Sequence, residues 1–169
     1  MARLTTTLIV TAALVATAAC SPKPKYIPPA PDQNSGNGGG NPTNTDNVVP
    51  GSRADFERSV TSNTINFALD KYDIDGRARE ILDSQAAWLA KWPNVPVSLE
   101  GHCDERGTRE YNLALGDRRA NAAKNYLAAR GINPARISTI SYGKERPLAL
   151  GSDEQSWAQN RRAVTIVLN

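Results

Sequence analysis

Four consecutive residues, His102, Cys103, Asp104 and Glu105, carry side chains of the kinds that bind metals, attack carbonyls or move protons. A zinc site needs three or four such ligands converging on one point, and the whole chain has one histidine and two cysteines. Neighbouring residues at the end of a strand also point to opposite faces. His102 and Cys103 therefore cannot share a metal or work together as base and nucleophile. No second histidine stands ready as a base, and no glycine-rich phosphate loop is present. The pattern excludes a metal centre and points away from an enzyme. His102 is expected to be a partly exposed polar side chain and Cys103 a small residue packed at a strand end.

A different spacing suits ligand binding. Asp104 falls just after a strand signal and ahead of a helix signal, while Asn112 and Arg119 lie seven residues apart on that helix. Seven residues make about two turns, so Asn112 and Arg119 share one face. A carboxylate at the helix start and a guanidinium two turns along could hold a ligand with an ammonium and a carboxylate close together, as at an amino acid's α-centre. The same two side chains could equally form a salt bridge that ties loop to helix. Arg161, at the start of the last strand, could reach the same place or serve a structural ion pair. Arg118 should face solvent, and Trp88, Trp92 and Trp157 should pack rather than carry sugars.

The elements that must position these residues are written as alternating periodicities from about Gly51 onward. "TINFAL" puts Ile65, Phe67 and Leu69 at period two, and "NVPVSLEG" does the same with Val95, Val97 and Leu99. Between them Asp75 can cap a helix whose apolar positions run from Ala78 to Trp92 and stop before Pro93. A second helix should begin at Thr108 and end at Gly131. A strand around 136–141, a short helix opened by Ser152 and a last strand from Arg161 complete a βαβαβαβ order, which predicts an α/β sandwich of one sheet with helices packed against it.

Ahead of this domain, residues 21–50 are rich in Pro, Asn and Gly and nearly free of large apolar side chains, a composition that cannot offset ordering entropy. They read as a disordered tether spanning on the order of 30 Å or more. Residues 1–19 have the form of a signal peptide, with Arg3 followed by an uncharged apolar run too short to be a comfortable membrane span. The run ends in "TAAC", which resembles the lipobox of bacterial lipoproteins, with Thr17 where Leu is usual. The resemblance implies cleavage before Cys20 and N-palmitoyl and S-diacylglycerol groups on that residue. Ser21, in place of an inner-membrane retention Asp, implies an outer-membrane anchor in a Gram-negative cell. The full chain has 20 basic and 17 acidic residues; loss of Arg3 leaves 19 against 17, or +2. So small an excess gives no field for gripping phosphate backbones and argues against a nucleic-acid partner. With Cys20 acylated, Cys103 has no partner for an internal disulfide.

The stretch "GHCDERGTREYNLALGDRRANAAKNYL" resembles the OmpA-like peptidoglycan-binding domain family, whose core reads as an Asp followed by N-x-x-L-(S/G)-x-x-R-A. Asp104, Asn112, Leu115, Gly116, Arg119 and Ala120 fill those positions. "LDKYDI", "SYGKERP" and "NRRAV" are similar to the lipoprotein branch of that family, and the likeness covers about residues 60–169. It implies one mixed four-stranded sheet packed against helices, and a non-catalytic domain without cofactor that recognises meso-diaminopimelate in the peptide stem of peptidoglycan. Asp104 would accept hydrogen bonds from the ligand's ammonium, and Arg119 would pair with its carboxylate. Leu69, Asp70 and Lys71 would line the pocket, with Leu69 where Phe is usual. Implied partners are the cell wall, TolB and other Tol proteins, in a role that links outer membrane to wall and supports its constriction at division. An alternative is a protein-interaction module for TolB in which wall binding is secondary. If Cys20 carries the anchor, Cys20→Ser abolishes incorporation of labelled palmitate and releases the protein from membranes; a variant that stays membrane-bound contradicts the anchor.

Overall fold

The computed structural model describes residues 48–168; the signal peptide, Cys20, most of the tether and Asn169 lie outside the described residues. Where the apolar spacing switches between the helical and the two-residue period, the chain switches element. The order is α1 (Arg53–Ser59), β1 (Thr64–Asn66), α2 (Gly76–Lys91), β2 (Val97–His102), α3 (Arg109–Ala129), a 3₁₀ turn (Pro134–Arg136), β3 (Ile137–Gly143), α4 (Glu154–Asn160) and β4 (Arg162–Val167). The two long helices start where their caps predict. Asp75 accepts from the Ala78 amide at 2.8 Å, and Thr108 from the Tyr111 amide at 3.2 Å. Arg130 ends α3 ahead of Gly131, whose φ of +90° reverses the chain at little cost.

The strands form one mixed four-stranded sheet, as expected, and its order is β1-β4-β2-β3. β2 and β3 are parallel, joined by α3 as crossover, while β4 runs antiparallel to both β1 and β2. Ile65, Val97, Leu99, Ile137, Ala163 and Val167 give one face of the sheet to the core. Leu82 and Leu89 of α2, with Ala120, Ala123 and Leu127 of α3, cover that face and make a two-layer sandwich.

Three local expectations change. Helix α1 was not among the expected elements, although Ser52, whose hydroxyl accepts from the Asp55 amide, is a cap signal. It seats Phe56 edge-on against Trp88, with ring centroids 5.0 Å apart. Helix α4 is capped by Asp153 rather than Ser152, because the Asp153 carboxylate takes both the amide and the hydroxyl of Ser156 at 2.9 Å. Strand β1 stops at Asn66, well short of the run to Leu69 that period-two spacing suggests. Phe67 still donates its amide to the Arg161 carbonyl at 2.9 Å, and then the chain turns out of the sheet, with Asp70 in the left-handed region at φ 54°.

The site depends on how closely α3 passes over β2. A Cβ added at Gly101 would collide with the backbone carbonyl of Gly116, and one at Gly116 would collide with the Ser141 hydroxyl. Two facing glycines thus let a helix lie on a strand backbone to backbone. Gly101→Ala forces α3 outward and is expected to lower stability by about 1–3 kcal/mol or more, read from urea denaturation; an unshifted midpoint would show that the helix can move freely.

Candidate functional site

One turn of α3 beyond Gly116 lies Arg119, 0% exposed and among the largest fully buried side chains of the domain. Its guanidinium is held by backbone oxygens from two distant segments. Nε donates to Lys71 O at 2.9 Å, Nη2 to Ala68 O at 3.1 Å, and Nη1 to His102 O at 2.8 Å. Nη1 also reaches Cys103 Sγ at 3.4 Å, and the Phe67 ring lies 5.1 Å from the guanidinium carbon. These bonds explain why β1 ends early, since the carbonyls of 68 and 71 turn toward Arg119 instead of continuing a ladder. Among the described residues no carboxylate lies within ion-pair distance of Arg119. Burial lowers its pKa, but a guanidinium stays charged under any folding condition.

Asp104 stands just beyond β2 in the loop ahead of α3, and it does not pair with Arg119. Its two oxygens are taken by Arg106, with Nη2 to Oδ2 at 2.6 Å and Nε to Oδ1 at 3.2 Å, and by Arg161 Nη1 to Oδ2 at 3.3 Å. A salt bridge between Asp104 and Arg119 is thereby corrected: Arg106, two residues away on the same loop, reaches the carboxylate first. The two alternatives left open for Arg161 are not exclusive in geometry. Arg161 faces the cavity, and it bridges Asp104 to the exposed Glu154 at 2.6 Å while donating Nε to Phe67 O. Burial would raise the Asp104 pKa, but hydrogen bonds from Arg106 and Arg161 outweigh it and hold the carboxyl below its ordinary value.

Asn112, on the same face of α3 as Arg119 and 2% exposed, holds the loop in shape by donating to the carbonyls of Arg106 at 2.7 Å and Thr108 at 3.0 Å. Together these residues line a cavity of about 310 Å³. Leu69 and Asp70 also line it, Leu69 being 49% exposed at its mouth, where Tyr111 donates its hydroxyl to Asp70. Lys71 contributes its carbonyl to Arg119, while its side chain is exposed and not part of the lining. Arg106 and Tyr111 line the cavity without having been singled out in the sequence. Their signal was faint: a guanidinium two residues from the key carboxylate, and an aromatic one residue before Asn112.

His102 and Cys103 point to opposite faces, as strand geometry requires. Cys103 is buried toward α3, donating to Asn112 O at 3.3 Å, and burial pushes its pKa up, so it is a neutral thiol and no nucleophile. His102 is 2% exposed rather than partly exposed, because β2 is an inner strand and Tyr142, 5.4 Å away between ring centroids, covers it. Burial, then the nearby Arg162 and Arg146, lowers the imidazole to about 4. Arg118 is exposed beside Tyr72, and Trp88 and Trp92 pack against one another. Trp157 does more than pack, since its ring carries the Arg106 guanidinium at 4.0 Å. Among the described residues no cluster of His, Cys, Asp and Glu could hold a metal ion.

An α/β sandwich with a charge-lined cavity at the ends of its inner strands has the form of a ligand-binding domain. The model of the OmpA family matches residues 66–161. A peptidoglycan-associated lipoprotein of Rhizobium meliloti is 53% identical over 120 residues, covering 71% of this chain and 68% of that one. Its namesake in Pasteurella multocida is 53% identical over 102 residues, covering 60% of this chain and 68% of that protein. The solved peptidoglycan-associated lipoprotein of Burkholderia pseudomallei is 41% identical, with a TM-score of 0.62 over 63% of this chain and 91% of that one. The chain belongs to the OmpA family, and within it to the peptidoglycan-associated lipoproteins. It is a binding and structural family without a cofactor, not a family of enzymes.

The domain carries a built-in sensitivity to acid. The His102 imidazole has a lower pKa folded, about 4, than its ordinary 6.5, so its contribution to stability is complete above 6.5 and is lost as pH falls toward 4. Asp104, also lowered, loses its contribution at still more acidic pH. Stability should therefore fall on acidification from neutral pH, and His102→Gln should flatten the decline between about pH 6.5 and 4, a difference on the order of 3 kcal/mol at most. Chemical denaturation across that range measures it, and an unaltered slope would mean the imidazole is not held neutral.

Proposed function

We propose that the chain is a lipid-anchored outer-membrane protein whose domain binds peptidoglycan non-covalently through meso-diaminopimelate of the peptide stem, and so fixes membrane to wall. The observation that carries this reading is the charge arrangement of the cavity. Arg119 lies against it with no carboxylate in ion-pair range among the described residues, and the buried carboxylate Asp104 faces the same space. Among the described residues, backbone oxygens account for three of the five N–H groups of Arg119 and a thiol for a fourth, which leaves one on Nη2 for a ligand oxygen. Two carboxylates, Asp70 and Asp104, and three guanidiniums, Arg106, Arg119 and Arg161, line the cavity, so its charge is positive by one. An amino-acid centre whose carboxylate meets Arg119 and whose ammonium meets Asp104 suits that lining. The names of the relatives, peptidoglycan-associated lipoprotein, support peptidoglycan as the ligand and a lipid anchor.

We further assign the protein to the Tol-Pal system, with TolB and other Tol proteins as partners and outer-membrane constriction at division as the process served. A second reading, in which TolB is the main ligand, draws support from Leu69 and Tyr111, large side chains 48–49% exposed that line the cavity. Sedimentation with purified sacculi separates the two. Asp104→Ala is expected to weaken wall binding by about tenfold or more, the worth of a charge-assisted hydrogen bond. Arg119→Ala should do the same and also cost stability, because it strips partners from three carbonyls, so its melting curve must accompany it. Wild-type sedimentation by folded Asp104→Ala would hand the cavity to the protein partner.

A further inference from the structure

The carboxylate assigned to the ligand's ammonium already has an occupant. Arg106 approaches Asp104 with two guanidinium nitrogens and its own backbone amide, which donates to Oδ1 at 3.2 Å. Together with Arg161, it satisfies both carboxylate oxygens. An incoming ammonium could reach Asp104 only by taking hydrogen-bond positions that Arg106 now fills.

Of the two guanidiniums on Asp104, Arg106 is the one able to leave. The Arg161 side chain is 7% exposed and is fixed by Phe67 O and Glu154 as well as by Asp104, whereas that of Arg106 is 33% exposed. Gly107 follows it with φ +84°, a conformation that costs glycine little. Contacts that can hold Arg106 once it leaves Asp104 are already made. The Arg106 guanidinium lies 4.0 Å over the Trp157 ring, and its Nη1 is 3.9 Å from Glu154. The Trp157 ring is itself oriented by its Nε1 bond to Glu105 at 3.0 Å.

We propose that Arg106 is an internal stand-in for the ligand's ammonium, and that binding exchanges one cation for the other on Asp104 while Arg106 slides along Trp157 toward Glu154. The proposal rests on the reading of Asp104 as the ammonium acceptor. It makes Arg106 a specificity-determining residue: a ligand with carboxylates but no ammonium cannot complete the exchange, since it would leave Asp104 buried without the partner it lost.

The test uses the full-length chain, with free meso-diaminopimelate as probe and pimelate, which has both carboxylates and no ammonium, as comparison, each titrated by calorimetry. Arg106→Gln removes the competitor, so meso-diaminopimelate should bind about three- to tenfold more tightly than to the wild type, while pimelate gains nothing. No gain for meso-diaminopimelate, or an equal gain for pimelate, overturns the proposal. If the variant does not fold, a second measurement decides. The Arg106 Nε–H resonance of the wild-type chain should move on saturation with meso-diaminopimelate as its bond to Asp104 is lost, and an unmoved resonance overturns the exchange. Asp104→Asn separates this idea from its foundation. If that variant binds like wild type, the ammonium assignment itself is wrong; if it abolishes binding while Arg106→Gln gains nothing, only the exchange falls.

Discussion

The contact between Gly101 and Gly116 fixes the geometry on which the binding site depends. With no Cβ on either residue, α3 lies directly on the backbone of β2, close enough that any side chain at Gly101 would meet a carbonyl oxygen. The register of helix on strand is thereby set, and Arg119, one turn further along, arrives at the end of β2 beside His102 O. From there its fork reaches the carbonyls of Ala68 and Lys71, nearly fifty residues earlier in the chain. A helix standing off by the thickness of one methyl group could not make these bonds at hydrogen-bonding length.

Arg119 therefore does two things at once. It brings the segment after β1 over the end of the sheet, which gives the cavity its wall at Leu69 and Asp70, and it places a positive charge, in direct ion-pair range of no described carboxylate, behind that cavity. The same economy holds on the other side. Arg161 pairs its backbone with Phe67 to extend the sheet edge by one residue, while its guanidinium braces Asp104. Residues that line the cavity are here also the residues that hold the loops in place. Substitutions at Arg119 or Arg161 must then disturb both the fold and the shape of the cavity, whereas Arg106, partly exposed, is held less tightly.

Much of the scaffold was legible in the chain. The helix begun by Asp75 follows from a capping side chain ahead of a clear 3.6-residue apolar pattern, whereas α3, whose buried face includes Asn112 and Arg119, is marked mainly by its cap Thr108 and by Gly131 beyond its end. Shorter elements escaped. α1 has one buried residue, Phe56, and too little periodicity to be detected, and at the start of α4 both Ser152 and Asp153 offer cap chemistry that only the observed hydrogen bonds distinguish. The end of β1 could not be read at all, since period-two spacing continues to Leu69 and what stops the strand is a guanidinium contributed by a helix far along the chain.

The sequence by itself determined which charges this domain carries and that Asn112 and Arg119 share a helical face, because helical periodicity is a local property of the backbone. It also determined that His102 and Cys103 face opposite ways, since alternation along a strand is equally local. Tertiary structure alone decided who meets whom. Asp104 is paired with Arg106 and Arg161 rather than with Arg119, and His102 is covered although its neighbours in sequence leave it open. Those outcomes depend on distances of an ångström or two between segments as far apart as residues 104 and 161. Such distances are set by how the core packs the sheet against its helices, which no local pattern encodes.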